Sequence, residues 1–267
     1  MAITWEAMID DFHLIIALPH SGRDLSFAKQ LGCTKWDESM HQSFADPHLD
    51  CLIPYFQSLT EHIIYHEVAR SLVDTNRCPA DIPQKLMGSD SKNLCTCKGN
   101  LHRDQIGLGL LPKRNAKGAL LPRTIEHEAV KVAQHIHNTY HDKLATKITQ
   151  CISKPRVILE LHSMPDKAAP NVGFCLGTRQ GQSSDTTITQ ALCRGLQQSY
   201  PKTPMSIDTP FAGLYSAAQH GQPREKTHFI QLEVNRKLIG VKPDDIKQHG
   251  TLLSDALGRM AELLENR

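Results

Sequence analysis

No apolar run in this chain approaches the roughly 18–20 residues that a membrane-spanning helix needs, so no membrane association is expected. Charge of one sign is also missing. The 30 Lys and Arg residues stand against 28 Asp and Glu, a formal net charge of +2, and nothing in that balance points to a nucleic-acid partner. The segment Met1 to Asp11 carries acids where a secretory signal carries Lys or Arg, which makes the cytoplasm the expected location. Neither a GxSxG elbow nor a GxxxxGK loop occurs, so a serine hydrolase or a P-loop enzyme has no anchor. No repeat, low-complexity tract or linker interrupts the 267 residues, and one domain over 1–267 is expected.

What the chain does have is 15 histidines and 8 cysteines. Cys33, Cys51, Cys78, Cys151, Cys175 and Cys193 are scattered as buried, reduced thiols would be. Cys95-Thr-Cys97 with His102 is the one cluster, and it lacks the tighter second pair of a structural zinc site. Three apolar runs are more telling. Leu14 to Leu18 leads into Pro19-His20-Ser21-Gly22, Val157 to Leu159 into Glu160-Leu161-His162, and Phe229 to Leu232 into Glu233-Val234-Asn235. Such runs read as buried strands. In an open α/β sheet, ligands gather beyond the carboxyl ends of the strands. Two histidines and a glutamate arriving there from distant segments can converge on one site.

Strand and helix signals alternate along the chain, which favours an α/β fold. Strands are expected at 14–18, 71–73, 157–161, 173–176 and 229–234. Helices are expected at 49–59, after Asp46-Pro47, and at 124–152, 184–200 and 243–265. The stretch 21–44 reads as partly helical and 204–224 as irregular. Residues 79–121 are long, poorly periodic and rich in Gly, Pro, Lys and Asn, the profile of a loop that covers an active site or is disordered.

Each candidate residue also has a plainer reading. Neutral imidazole is a favoured zinc ligand, and catalytic zinc keeps three protein ligands and an open position for water. Taken singly, however, His20 or His162 reads as a hydrogen-bonded structural residue at a strand end. Gly22 would let the backbone turn closely around a bound group. Glu233, inside an apolar strand, has a pKa that burial would raise toward that of a general base; a salt bridge to Arg236 or a lysine is the alternative. Asp74-Thr-Asn76-Arg77 could present Arg77 to an anion, or Arg77 could be a surface arginine. His137 and His141 share one helix face, but no Glu follows the first as in HExxH; with His135 they read as polar-face residues.

Taken in order, ALPHSG at 17–22, DPHLD at 46–50, ARSLVDTNRCP at 69–79, Tyr140-His141, LELHSM at 159–164, LGTRQGQS at 176–183, DTPFAGLY at 208–215, HGQP at 220–223 and IQLEVNRKL at 230–238 resemble the N-formylglutamate amidohydrolase family. The resemblance runs through most of the chain. It implies a three-layer, zinc-exopeptidase-like mixed sheet with helices on both faces. It also implies zinc-dependent hydrolysis of N-formyl-L-glutamate to formate and L-glutamate, in histidine degradation.

In its terms His20 and His162 are metal ligands for one Zn2+, or another divalent ion, and Glu233 is the catalytic carboxylate. Asn76 and Arg77 bind a substrate carboxylate, and Arg70 and Arg179 are further substrate-binding arginines. The carboxylate ligand of related proteins falls three residues after the first histidine, where this chain has Arg23. Asp46 is the preferred replacement because it opens a helix, with Asp50 and Asp24 behind it. Ala212-Gly213-Leu214 and Ile239 also depart from the pattern. The partner is a small-molecule substrate; oligomeric state is not legible. Other readings are a hydrolase of a different N-acyl amino acid or carboxylate-bearing amide, or a ligand-binding member without catalysis.

Overall fold

The computed structural model describes residues 12–34, 38–83, 86, 103–115 and 118–265. Its strands are β1 (His13–Leu18), β2 (Ile63–Tyr65), β3 (Arg156–Met164), β4 (Phe174–Gly177), β5 (Met205–Ile207) and β6 (Thr227–Asn235). They form one sheet of order β2-β1-β3-β6-β4-β5. β1, β2, β3 and β6 run parallel, while β4 is antiparallel to β6 and carries β5 with it. The helices are α1 (Glu38–Gln42), α2 (Ile53–Phe56), α3 (His127–Gln150), α4 (Thr186–Ser199), α5 (Tyr215–His220), α6 (Arg236–Ile239) and α7 (Pro243–Glu265).

Alternation along the strands sorts side chains between two covered faces. Leu14 and Ile16 of β1, Val157, Leu159 and Leu161 of β3, and Ile230 and Leu232 of β6 pack with Phe56 of α2, Leu192 and Leu196 of α4 and Leu253 and Leu257 of α7. The opposite row, Ile15, Ile158 and Phe229, packs under Tyr140 and Leu144 of α3 and Ala217 of α5. Each fully buried Leu, Ile or Phe contributes about 1.5–3 kcal/mol, so the central strands are strongly specified. The result is the expected mixed α/β sheet with helices on both faces. α4 and α7 meet closely at Gly195, where a Cβ would stand 2.2 Å from the Ala256 carbonyl oxygen.

Several local expectations are corrected. Ser71-Leu-Val73 is a turn, with the Leu72 and Val73 amides both donating to the Ala69 carbonyl. Its apolar side chains fill a satellite core with Leu31, Leu110, Leu111 and Ile125 instead of a sheet face. The expected helix 49–59 shrinks to a 3-10 turn, Asp50–Leu52, and the short α2. The 204–224 stretch contains β5 and α5. Of the six described cysteines, Cys78, Cys151 and Cys175 are buried, Cys33 and Cys193 partly so, and Cys51 is exposed. The Cys95, Cys97 and His102 cluster lies outside the described residues.

Burial also sets an acid limit. Burial pulls His66 down to about 3 and His220 and His249 to about 4, against about 6.5 in an unfolded chain. Between those values the unfolded chain binds more protons than the folded one. The stabilisation from neutral burial is therefore complete above about pH 6.5 and is lost as pH falls toward 4. Urea titrations at pH 7.5 and 4.5 should differ by several kcal/mol; equal midpoints would contradict this.

Candidate functional site

The sheet's carboxyl edge gathers its ionisable side chains on one face. On β3, Glu160 and His162 continue the row begun by Ile158. On β6, Gln231 and Glu233 continue the row of Phe229, and the ladder sets Glu160 beside Gln231 and His162 beside Glu233. All four are buried. Beyond β1, His20 is fixed by backbone: its carbonyl accepts from the Asp46 amide at 3.0 Å, and Ser21 Oγ donates to the Asp46 carbonyl at 3.1 Å. Asp46 does not open a helix, since the 3-10 turn begins at Asp50. Gly22 serves packing, not a bound group: a Cβ there would stand 2.3 Å from the His66 and Glu67 carbonyl oxygens.

His20, Asp46 and His162 bring one ligand atom each within 4.8 Å of one another. Both Nδ1 atoms face the same oxygen, Asp46 Oδ2, at 3.3 Å from His20 and 3.1 Å from His162. Each imidazole is held from behind by a carboxylate: His20 Nε2 lies 2.8 Å from Asp74 Oδ1 and His162 Nε2 lies 2.9 Å from Glu160 Oε2. An ionised carboxylate only accepts, so both Nε2 atoms carry hydrogen. In the neutral rings the Nδ1 lone pairs then point at a carboxylate oxygen, a convergence of acceptors that calls for a cation. His20 Nδ1 is buried without a hydrogen-bond partner among the described residues. Two imidazoles, a carboxylate and rear carboxylate partners make the donor set of a zinc-class site, and the residues fit such an ion. Asp50 is instead paired with Arg23 at 3.0 Å, and Asp24 accepts from Ser26.

The same electrostatics show in the titrating groups. Burial opposes a charge on His162, but its bonds to Asp46 and Glu160 win and push its pKa up to about 10. Burial likewise opposes the charge on Asp46, and His162, His20 and Arg70 hold it well below the usual carboxylate range. The place therefore favours positive charge, whether a proton or a metal. Glu233 differs: burial raises its pKa, with His162 opposing. Its Oε1 accepts from Gln231 Nε2 at 2.9 Å. The alternative pairing with Arg236 does not form. That guanidinium donates to Ser163 Oγ at 3.0 Å and the Ala45 carbonyl at 3.1 Å, and lies 3.4 Å from Asp46 Oδ1.

Residues 74–77 turn beneath this cluster. Asp74 binds His20 and also Arg70, whose Nε is 3.1 Å from Asp74 Oδ2. Asn76 donates to Gln231 Oε1 at 3.0 Å and accepts from the Ser216 amide. Arg77, buried rather than at the surface, donates to the Leu108 carbonyl. The turn is anchored by histidines read earlier as polar-face residues. His137 Nε2 donates to the Arg77 carbonyl at 2.9 Å and His141 Nε2 to the Thr75 carbonyl at 2.8 Å. Both rings are buried, and burial lowers both pKa values, keeping them neutral; only His135 is exposed.

A cavity of about 560 Å³ opens over the cluster, lined by His20, Asp46, Arg70, Asn76, Arg77, His162 and Glu233. Arg179 is not in its wall. It sits in the left-handed region beside Gly213, its amide donating to the Ala212 carbonyl of the lining segment 210–214. The described part of the 79–121 stretch contributes Arg103, Leu108, Pro112 and Arg114 to the wall. Gln231, Arg103 and Arg114, and the rear roles of Asp74 and Glu160, went unread in the sequence. Only the strand pair left a signal there: Glu160 with His162, and Gln231 with Glu233, alternate with leucines at the period of one sheet face.

The structure is similar to a crystal structure of N-formylglutamate amidohydrolase from Ralstonia eutropha JMP134, with TM-score 0.77, 20% identity and 97% of each chain covered. It is also similar to a gene product of Agrobacterium tumefaciens, with TM-score 0.67, 13% identity, and 98% of this chain and 93% of the other covered. At these identities the likeness shows the fold. A search of curated proteins finds no match. The family model described as N-formylglutamate amidohydrolase matches residues 12–240, a span that takes in every strand but none of α7. The chain belongs to the N-formylglutamate amidohydrolase family.

Proposed function

We propose that the chain cleaves the amide of N-formyl-L-glutamate to formate and L-glutamate, with His20, Asp46 and His162 holding a divalent metal, zinc by its donor set. The observation that carries this reading is the convergence of those three ligand atoms beside Glu233 under one cavity. A divalent cation there supplies a Lewis acid for the amide carbonyl and lowers the pKa of water toward neutrality.

The chain's own groups do the rest. Glu233, buried and raised in pKa, accepts the proton of the attacking water as the new C–O bond forms at the formyl carbon. It returns that proton to the amide nitrogen as the C–N bond breaks, so the glutamate leaves as an amine. Asp74 and Glu160 keep the two imidazoles oriented. Arg70, Asn76 and Arg77 face the cavity for the substrate carboxylates, and Arg179 holds the wall through its amide bond to the Ala212 carbonyl. From the described part of 79–121, Arg103 and Arg114 add positive charge to the same wall. Family membership supports a role in histidine degradation, and the scattered free cysteines support the cytoplasm as its location.

The test is a panel of N-formyl and N-acetyl amino acids assayed on zinc-loaded protein. N-formylglutamate should exceed N-formylmethionine in kcat/KM by about 10²-fold or more, because a substrate without the second carboxylate forgoes its charge-assisted hydrogen bonds to the cavity arginines. No turnover of any amide in the panel would overturn the reading.

A further inference from the structure

A second group of ligand-bearing side chains lies at the far end of the same sheet. His13 is the first residue of β1, His62 directly precedes β2, and Cys151 directly follows α3 as its C-cap. His13 and His20 bracket β1, so the two clusters stand about 20 Å apart at the rise of an extended strand. Each of the three residues offers a ligand atom, and these atoms lie within 4.8 Å of one another. The two imidazole rings meet edge to face, with centroids 5.7 Å apart.

His62 Nδ1 is buried and has no hydrogen-bond partner among the described residues. Cys151 is 1% exposed. Two imidazoles and a thiol are the donors of a borderline-soft metal and do not suit magnesium or calcium. Zinc bonds of 2.0–2.3 Å place tetrahedral ligands about 3.3–3.8 Å apart, so the side chains need to close by about 1 Å.

We propose that His13, His62 and Cys151 form a second zinc-class site, which clamps the starts of β1 and β2 to the end of α3 and takes no part in the chemistry at the carboxyl edge. On binding, the thiol releases its proton to solvent and the thiolate ligates. Burial lowers both histidines, which therefore offer lone pairs at neutral pH. Because the thiol must lose its proton to ligate, the site should load more fully as pH rises. Three protein donors leave the fourth position to water.

The test titrates the full chain with Zn2+ and separately with Co2+. Wild-type protein should retain about two zinc equivalents, and its cobalt form should show near-ultraviolet thiolate-to-cobalt charge transfer. Cys151→Ser and His62→Gln should each retain about one equivalent, lose that absorption, and keep kcat within about twofold. They should also lose most of the Tm gain that a second zinc confers. His162→Ala should keep the charge-transfer band, which separates this site from the proposed catalytic one. A single equivalent in the wild type, or a band that survives in both Cys151→Ser and His62→Gln, overturns the proposal. If Cys151→Ser does not fold, His62→Gln decides alone.

Discussion

Replacing Glu233 with Gln is expected to lower kcat by about 10²–10⁴-fold while leaving fold and metal content unchanged. The amide is isosteric with the carboxylate and can keep a hydrogen bond with Gln231, which now lies 2.9 Å from Oε1. It removes only the capacity to take and return a proton. Since Glu233 ligates nothing in the cluster of His20, Asp46 and His162, metal content and turnover should separate in this variant. The pH profile gives a second readout. Burial raises the Glu233 pKa, and the residue must be ionised to act as a base, so wild-type kcat/KM should fall on the acid side at a pH above that of an ordinary glutamate. The Gln variant should lack that limb. A kcat within about threefold of wild type would remove Glu233 from the mechanism.

His162→Ala is expected to lose both metal and activity, by more than about 10³-fold, and added zinc should not restore it. The substitution removes one of the atoms converging on Asp46 Oδ2 and leaves Glu160 buried without its 2.9 Å partner. Destabilisation of about 3–5 kcal/mol should accompany it, as for any broken buried pair, so circular dichroism must establish that the variant is folded. Chelator treatment of the wild type supplies the control. Activity should disappear with the metal and return when zinc is added back. Undiminished turnover by metal-depleted wild type would end the metal-dependent reading.

The sheet was legible where burial is two-sided. β1, β3 and β6 are long apolar runs because helices cover both their faces, and their ends located His20, His162 and Glu233. Short apolar stretches were not legible. Leu72 and Val73 look like a strand, yet their backbone turns because their side chains serve a separate core under the loops. Ile63–Tyr65 is a real strand too short to announce itself. The sequence points to Asp46 through a helix it does not start; it reaches the cluster through its backbone bond to the His20 carbonyl, a contact across 26 residues that no local pattern encodes. His137 and His141 were misread for a related reason. Helical periodicity reports which face a residue occupies, but not that a neighbouring turn offers bare carbonyls to be capped.

Those two histidines also constrain any attempt to re-engineer the pocket. The turn bearing Asn76 and Arg77 has the irregular backbone of a loop, which invites grafting or randomisation to change substrate preference. Its carbonyls, however, are fastened to α3 by the rings of His137 and His141, and His141 is in turn braced by His220 of α5 at 2.9 Å. A library confined to 74–77 would vary the visible surface while leaving its foundations tuned to the original conformation. Productive diversification would have to move turn and helix residues together, as one cooperative unit of design.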